Sequence, residues 1–128
     1  MTEESRSPHT NALPNYQKAV IPPEKLERYI LNPRHVARVW GESSGKDKAQ
    51  VFKSALGFEQ SNWELLRDRI LEALPHHEAV IGKEDQYGRR YNVTLPIHGA
   101  NGNTVDVLTA WIIRPDEDYP SFVTARCL

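Results

Sequence analysis

Residues 89–114 constrain the fold most strongly, because apolar side chains recur there at every second position along two segments. The alternating positions of the first segment are Tyr91, Val93, Leu95 and Ile97. Those of the second segment are Val105, Val107, Thr109, Trp111 and Ile113. A period of two residues places each set on one face of a β-strand. Between the segments, Asn101-Gly102 supplies the positive φ that a tight hairpin needs, so the stretch predicts two antiparallel strands.

Two further strands are predicted on either side of this hairpin. Residues 79–83 form the strand that precedes it, and residues 85–88 form the connecting turn. After an acidic turn at residues 115–120, the segment Ser121–Cys127 is predicted to be the last strand. The second half of the chain therefore predicts a meander of four antiparallel strands.

Helical patterns fill the first half of the chain. The predicted helices span about residues 23–31, a short piece that starts at Asn32-Pro33, residues 46–56 and residues 61–74. Their inward apolar stripes, spaced by three and four residues, are Leu26, Tyr29 and Ile30; Val36, Val39 and Trp40; Ala49, Phe52, Ala55 and Leu56; and Trp63, Leu66, Ile70 and Leu74. Gly57 is predicted to cap the third helix, and Ser61 with Glu64 is predicted to form a capping box for the fourth.

Helices followed by a strand meander predict an α+β domain. We expect two to four N-terminal helices on one face of an antiparallel sheet of about four strands, with the other face partly open. The 128 residues suit a single domain. Its predicted bounds are residues 13–128, after a flexible polar tail at residues 1–12.

Composition narrows the classes of partner. The formal net charge of −1 provides no general attraction to nucleic acid, so RNA binding would depend on a local cationic patch. Cys127 is the only cysteine, which rules out an internal disulfide. The sequence contains no apolar run of transmembrane length and no apolar signal-peptide segment. We therefore expect no membrane association and a cytoplasmic location, unless a larger system delivers the chain elsewhere.

Short sequence patterns distributed over residues 13–128 resemble a small domain of bacterial polymorphic toxins. That domain occurs at the C-terminal tip of contact-dependent-inhibition exoproteins of the filamentous-haemagglutinin type, and also in small stand-alone proteins. In the helical half, the resembling patterns are YILNPRH at 29–35, GKDKA at 45–49, VFKSALGF at 51–58 and Ser61-Asn62. In the strand half, they include GKED at 82–85, Tyr87-Gly88, Arg90-Tyr91, Pro96-Ile97, Asn101-Gly102, Trp111-Ile112 and Val123-Thr124.

The resemblance implies a toxin-type domain. Several neighbouring tip domains resemble compact ribonucleases of the barnase, EndoU, colicin and RelE type, in which helices precede an antiparallel sheet. By this analogy we expect a metal-independent ribonuclease without a cofactor, with RNA as substrate and a cognate immunity protein as partner. The resemblance also implies delivery into the cytoplasm of a target cell. A non-catalytic binding module, or a degenerate toxin relative of unknown function, is the alternative, and it fits the near-neutral charge.

One segment departs from the pattern of the resembling domains. Those domains tend to read His-Pro-x-Gly and then reach the Lys-Ala pair after a few residues. In this chain His35 is followed by Val36, and residues 36–44 intervene before Gly45. If His35 and Lys48 cooperate in the family, this insertion changes the spacing between them here.

Candidate site residues follow from the chemistry of RNA cleavage. Cleavage without a metal needs a base for the 2′-hydroxyl, an acid for the leaving oxygen and cationic donors for the phosphate. Histidine titrates near neutrality, and lysine and arginine bind phosphate. The candidate catalytic residues are His35, Lys48 and Thr109, and the candidate substrate-binding residues are Arg90, Trp111 and Arg126.

Most of these residues also have a purely structural interpretation. Thr109 and Trp111 share the apolar face of their strand, so both are equally typical of a core position. Arg90 faces the other way, where a cross-strand pair with Asp106 would explain it. His35 would be a surface residue at the start of a helix, and Lys48 would be a solvated helix residue.

Other classes of site find no support in the sequence. The five histidines show no paired-ligand spacing, so no metal site is predicted. His76 and His77 end a helix, where their charge suits the helix dipole, and His98 is predicted in the hairpin loop. A glycine-rich phosphate loop, a GxSxG motif and a Cys-His pair are absent from the sequence.

Overall fold

The computed structural model describes residues 7–34 and 45–128, in which helical segments come first and strands follow. The regular helices are α1 (Gly45–Leu56) and α2 (Trp63–Ala73). Short 3-10 turns occupy Tyr16–Lys18, Gln60–Asn62 and Leu74–His76, and a π-helix spans Lys25–Ile30. The strands are β1 (Ala79–Asp85), β2 (Gly88–His98), β3 (Thr104–Ile113) and β4 (Ser121–Cys127). Within the described ranges, no helix is long and apolar enough to cross a membrane.

The four strands pair in chain order as an antiparallel meander. The described helices pack on one face of this sheet, with α2 against β2 and α1 against β3 and β4. Large side chains from both layers form one core, including Phe52, Leu56, Leu66, Ile70, Leu95, Trp111 and Phe122. The predicted α+β fold is confirmed, and so is the alternation along β2, where the odd positions from Tyr91 to Ile97 are buried and the even ones exposed.

The connection between β2 and β3 differs from the prediction. Gly102 has the expected positive φ of 89°, but the loop covers residues 99–103 and is not a two-residue turn. The loop is longer because it also caps α1. The backbone N–H of Asn101 donates to the carbonyl of Leu56, and its side-chain amide donates to the carbonyl of Ala55, both at 3.3 Å. These bonds satisfy carbonyls that the end of a helix leaves without partners.

The ends of the two regular helices show one correct and one wrong prediction. Gly57 follows α1 with a φ of 76°, as expected for a glycine cap. The predicted capping box at Ser61 is wrong, because a 3-10 turn precedes α2 and Ser61 lies inside it. The box is instead formed by Glu59 and Asn62, and the Oδ1 of Asn62 accepts the backbone N–H of Glu59 at 2.8 Å.

The helix predicted at residues 23–31 is mostly a π-helix, and this changes its buried face. The N–H of Leu31 donates to the carbonyl of Leu26 at 2.8 Å, which is the i→i+5 bond of a π-turn. The wider turn moves Tyr29 outward, where it is 43% exposed, and moves Leu31 into the core. The prediction that Tyr29 faces inward was therefore wrong.

Two predicted segments are only partly within the described residues. The short helix after Asn32 falls largely on residues 35–44, which lie outside them. In the predicted flexible tail, the N–H of His9 donates to the carbonyl of Pro75, and the carbonyl of Asn11 accepts the N–H of Ala79, both at 2.8 Å. The flexibility of the tail and the predicted domain bounds stay predictions.

The two edges of the sheet differ in how far other residues cover them. Along β4, Val20 forms a single parallel bridge with Ser121. At the other edge, β1 is exposed along most of its length, and Val80 and Ile81 are 56% and 58% exposed. The helices therefore cover the part of the sheet formed by β2, β3 and β4.

Candidate functional site

The sheet face turned away from the helices carries most of the cationic and polar candidates. We call it the outward face, and its central residues are Arg90, Asn92, Thr94, Leu108, Ala110, Ile112, Thr124 and Arg126. Strand register arranges them in rows that cross the sheet. Asn92, Ala110 and Thr124 form one row, and Thr94, Leu108 and Arg126 form the next.

Lys48 is brought to the outward face by a tertiary contact. Its Nζ donates to the Oγ1 of Thr124 at 2.9 Å, in a partly buried setting. Lys48 belongs to α1, which packs on the opposite, core side of β3 and β4. Because β4 is the last strand of the sheet, the lysine can reach an outward-facing hydroxyl only around this edge. The ammonium group is thereby held beside one row of the outward face.

Arg90 lies on the same face, but its partner differs from the one predicted. The register places Ile112 opposite Arg90 and places Asp106 opposite Pro96, so the suggested cross-strand pair with Asp106 is wrong. The Nη1 of Arg90 instead lies 3.1 Å from the Oδ2 of Asp85, at the end of β1. This contact orients the guanidinium while its side chain remains 39% exposed.

Asp85 is held in its charged form by several donors. The backbone N–H of Tyr87 donates to its Oδ1 at 2.9 Å, and Lys83 lies 3.6 Å from its Oδ2. The N–H of Tyr87 and then the guanidinium of Arg90 hold the pKa of this carboxyl below its ordinary value of 3.8. Asp85 therefore remains an anion near neutrality and keeps Arg90 in position.

Arg126 completes the cationic part of the outward face. It lies on β4, two residues beyond Thr124, which corresponds to about 6–7 Å along a strand. Its side chain is exposed and forms no ion pair with any residue in the ranges 7–34 and 45–128. Three cationic side chains, from α1, β2 and β4, thus lie on the face turned away from the helices at residues 7–34 and 45–76, where Ile112, opposite Arg90, is itself only 6% exposed.

Thr109 and Trp111 lie on the core side of β3. Both are completely buried, and the indole of Trp111 makes an edge-on contact with Phe122 at 5.4 Å between ring centroids. The Nε1–H of Trp111 donates to the hydroxyl of Thr109 at 2.8 Å, and that hydroxyl donates to the carbonyl of Val93 at 2.7 Å. Within the described structure their polar groups are used inside the core, and their predicted roles in catalysis and substrate binding stay predictions.

The remaining candidates do not add a nucleophile or a metal site. His35 lies outside the described residues. The described ranges contain no group of three His, Cys, Asp or Glu side chains that could hold a metal ion. Cys127 is half-buried, and burial raises the pKa of its thiol to about 11, so the thiol is protonated near neutrality.

The residues that lie between these cations are not recognisable as site residues from the sequence. Thr124, Asn92 and Ala110 have no chemical signature of their own, and only the register shows that they form one row. The alternation in β2 and β3 carried the available signal for Asn92 and Ala110, since both fall on the face opposite the core.

A sequence-family comparison classifies the chain. A family described as a domain of unknown function, DUF6883, matches residues 12–127. The chain belongs to this family. No curated protein gives a significant sequence match. The family assignment covers nearly the whole chain, but its description names no activity.

A solved structure shares the fold of this DUF6883 domain. It is a chain in a contact-dependent growth inhibition toxin–immunity protein complex from Klebsiella pneumoniae 342. The superposition has a TM-score of 0.66 and covers 88% of this chain and 95% of the other. Sequence identity is 13%, so the similarity demonstrates the fold alone.

Proposed function

We propose that this DUF6883 domain is a toxin-type, metal-independent ribonuclease that binds the phosphates of RNA on its outward face. The observation that carries the proposal is the placement of Lys48, Arg90 and Arg126 on the sheet face opposite the described helices. A polyanionic strand is the ligand that such a face suits, because an extended array of cations neutralises successive phosphates. The fold similarity to a chain of a toxin–immunity complex is consistent with the toxin class.

The proposed roles follow from the contacts of each side chain. Lys48 is a compact charge held next to Thr124, and it would stabilise the charge that develops on the scissile phosphate. Arg90, oriented by Asp85, would bind a phosphate through its free guanidinium edge. His35 is the proposed base or acid of the cleavage reaction. A cognate immunity protein and delivery into a target-cell cytoplasm are part of the same proposal.

The proposal is tested by incubating the purified protein with total RNA in excess EDTA. We expect cleavage by the wild-type protein and a loss of about 100-fold in rate for Lys48→Ala, the usual scale for removing one charge-stabilising donor. Lys53→Ala is the matched control, because Lys53 lies on the same helix, is exposed and pairs with Glu59 at 3.7 Å. RNA that stays intact with the wild-type protein, with and without added Mg²⁺, would reject the ribonuclease.

His35→Ala extends the test to the predicted acid–base group. We expect this variant to remain folded by circular dichroism and to lose cleavage, with the bell-shaped pH profile of the wild-type rate losing one limb. An unchanged rate and profile would remove His35 from the mechanism without affecting the outward face.

A non-catalytic protein-binding module is the second candidate. The observation that favours it is β1, an edge strand with exposed apolar side chains at Val80 and Ile81. Such edges are templates for pairing with another chain. Expression in a bacterium separates the two candidates. A growth arrest that Lys48→Ala abolishes supports the ribonuclease, whereas normal growth with the wild-type protein favours the binding module.

A further inference from the structure

The centre of the outward face contains a small residue between longer ones. Ala110 lies in β3, with Asn92 directly opposite on β2 and Thr124 directly opposite on β4. Along its own strand, Leu108 and Ile112 project from the same face. Because a methyl group is shorter than all four neighbouring side chains, we infer a shallow depression at Ala110, which ends on one side at the buried Ile112.

The walls of this depression differ in chemistry from its floor. The floor is apolar, formed by Ala110 and Leu108, which are both partly exposed. One wall is the exposed amide of Asn92, which has no hydrogen-bond partner among the side chains and backbone of the described residues. The other wall is Thr124, which holds the amine of Lys48. An apolar floor with an available amide on one side suits a flat heterocycle that has hydrogen-bonding edges.

An asparagine amide offers one acceptor and two donors in a plane, and such amides pair with the edges of nucleobases. The two walls are two strand spacings apart, about 9–10 Å between Cα atoms. This width suits one base and not a base pair. Phosphate groups on either side of that base would meet Lys48 and Arg126. The amine of Lys48 lies beside Thr124, which is two residues from Arg126 on β4.

We propose that Asn92, Ala110 and Thr124 form a nucleobase subsite for single-stranded RNA. The ring lies over Ala110, the amide of Asn92 binds the edge of the base, and Lys48 and Arg126 hold the neighbouring phosphates. The inference rests on the proposed function, because it names the part of the substrate that the outward face selects. It makes Asn92 and Ala110 specificity-determining residues.

Binding is measured by fluorescence anisotropy with a labelled 2′-O-methyl RNA 12-mer of mixed sequence, in EDTA, so that cleavage through the 2′-hydroxyl cannot occur. We expect Ala110→Leu to fill the depression and weaken binding about tenfold, a loss of about 1.4 kcal/mol. Asn92→Ala should weaken binding severalfold. Both side chains face away from the core, so the variants should unfold at wild-type urea concentrations.

A control variant on the same strand isolates the depression. Thr104→Leu adds an apolar side chain to the same strand and face, six residues or about 20 Å from Ala110, and should leave binding unchanged. Equal affinity of Ala110→Leu and the wild-type protein, or no binding by the wild-type protein, would overturn the subsite.

Cleavage mapping distinguishes failure of the subsite from failure of the ribonuclease. With a defined single-stranded RNA, Lys48→Ala should slow cleavage at all positions, whereas Asn92→Ala should change which nucleotides precede the cut. If the wild-type protein cleaves and Asn92→Ala and Ala110→Leu preserve both rate and positions, the ribonuclease stands and the subsite is wrong. If the wild-type protein binds the 12-mer in an Ala110-dependent way but cleaves nothing, the subsite stands and the ribonuclease is wrong.

Discussion

Neighbouring residues of β3 face opposite sides of the sheet. Thr109 and Trp111 point into the core, where each polar atom has an internal partner. Ala110 points outward, into a row with Asn92 and Thr124 on the side opposite the described helices. The same strand therefore places Thr109 and Trp111 in the core and Leu108 and Ala110, both partly exposed, on the outward face.

Burial distinguishes the polar residues of the two faces. In the sequence, Thr109 and Lys48 are both catalytic candidates. In the structure the hydroxyl of Thr109 is buried between an indole and a carbonyl, whereas the partly buried amine of Lys48 donates to a hydroxyl of the outward face. Position in the fold, rather than residue type, separates these two candidates.

The largest expected effect is on the core side. Trp111→Ala should destabilise the protein by about 3–5 kcal/mol, because it removes a fully buried aromatic side chain and leaves a cavity beside Phe122. This loss is a large part of the total stability of a typical domain. Urea unfolding followed by tryptophan fluorescence and circular dichroism measures it. A loss below 1 kcal/mol would mean that Trp111 is not packed as described.

The hydroxyl of Thr109 is tested separately from the volume of its side chain. Thr109→Val keeps the shape but leaves the Nε1–H of Trp111 without its acceptor, and should cost about 1–3 kcal/mol. The matched control is Thr94→Val on the outward face, which should change stability by less than about 0.5 kcal/mol. Equal effects of the two substitutions would remove the distinction between the faces.

On the outward side, the expected effect is on activity and not on stability. Arg90→Ala should lower RNA cleavage about 10- to 100-fold, the loss expected for a charged hydrogen bond to phosphate. Arg89→Ala is the control, because Arg89 is the adjacent residue, faces the other side and pairs with Glu84 at 3.2 Å. A comparable loss of cleavage in both variants would argue that net charge, and not the outward face, governs activity.

The smallest expected effect is a pH dependence at Asp85. Its pKa in the folded protein lies below the ordinary value of 3.8, so the unfolded chain binds its proton at a higher pH than the folded protein does. The stabilisation that ionised Asp85 provides is therefore fully present at a pH above the ordinary pKa, and it declines as the pH falls through the pKa of the folded protein. Urea unfolding measures the difference in the free energy of unfolding between the wild-type protein and Asp85→Asn. This difference should stay constant from about pH 5 to 7 and become smaller below about pH 4. A narrowing near pH 6 would contradict this assignment.

Much of the fold could be predicted because it follows from local periodicity. Alternation in β2 and β3 identified the buried face, and Gly57 marked the end of α1. Errors occurred where a neighbouring element changed the local geometry. The loop at residues 99–103 lengthened to cap α1, and the π-helix at Lys25–Ile30 turned Tyr29 outward.

The candidate site was less predictable than the fold. Arg90 was correctly assigned to the more polar face from alternation alone, but its partner Asp85 was missed, because the predicted β1 ended at residue 83. The contact between Lys48 and Thr124 joins residues 76 positions apart in sequence. No local pattern reports such a contact, since it depends on how α1 crosses the edge of the sheet.

The sequence by itself determined the order of helices and strands and which positions of each strand face the core, because these depend on repeats of two and three to four residues. The tertiary structure decided which polar groups remain open to a ligand. That outcome depends on register and on helix placement, which bring together residues far apart in the chain. Trp111 was therefore identifiable as an apolar-face residue from the sequence, whereas the row of Asn92, Ala110 and Thr124 was not.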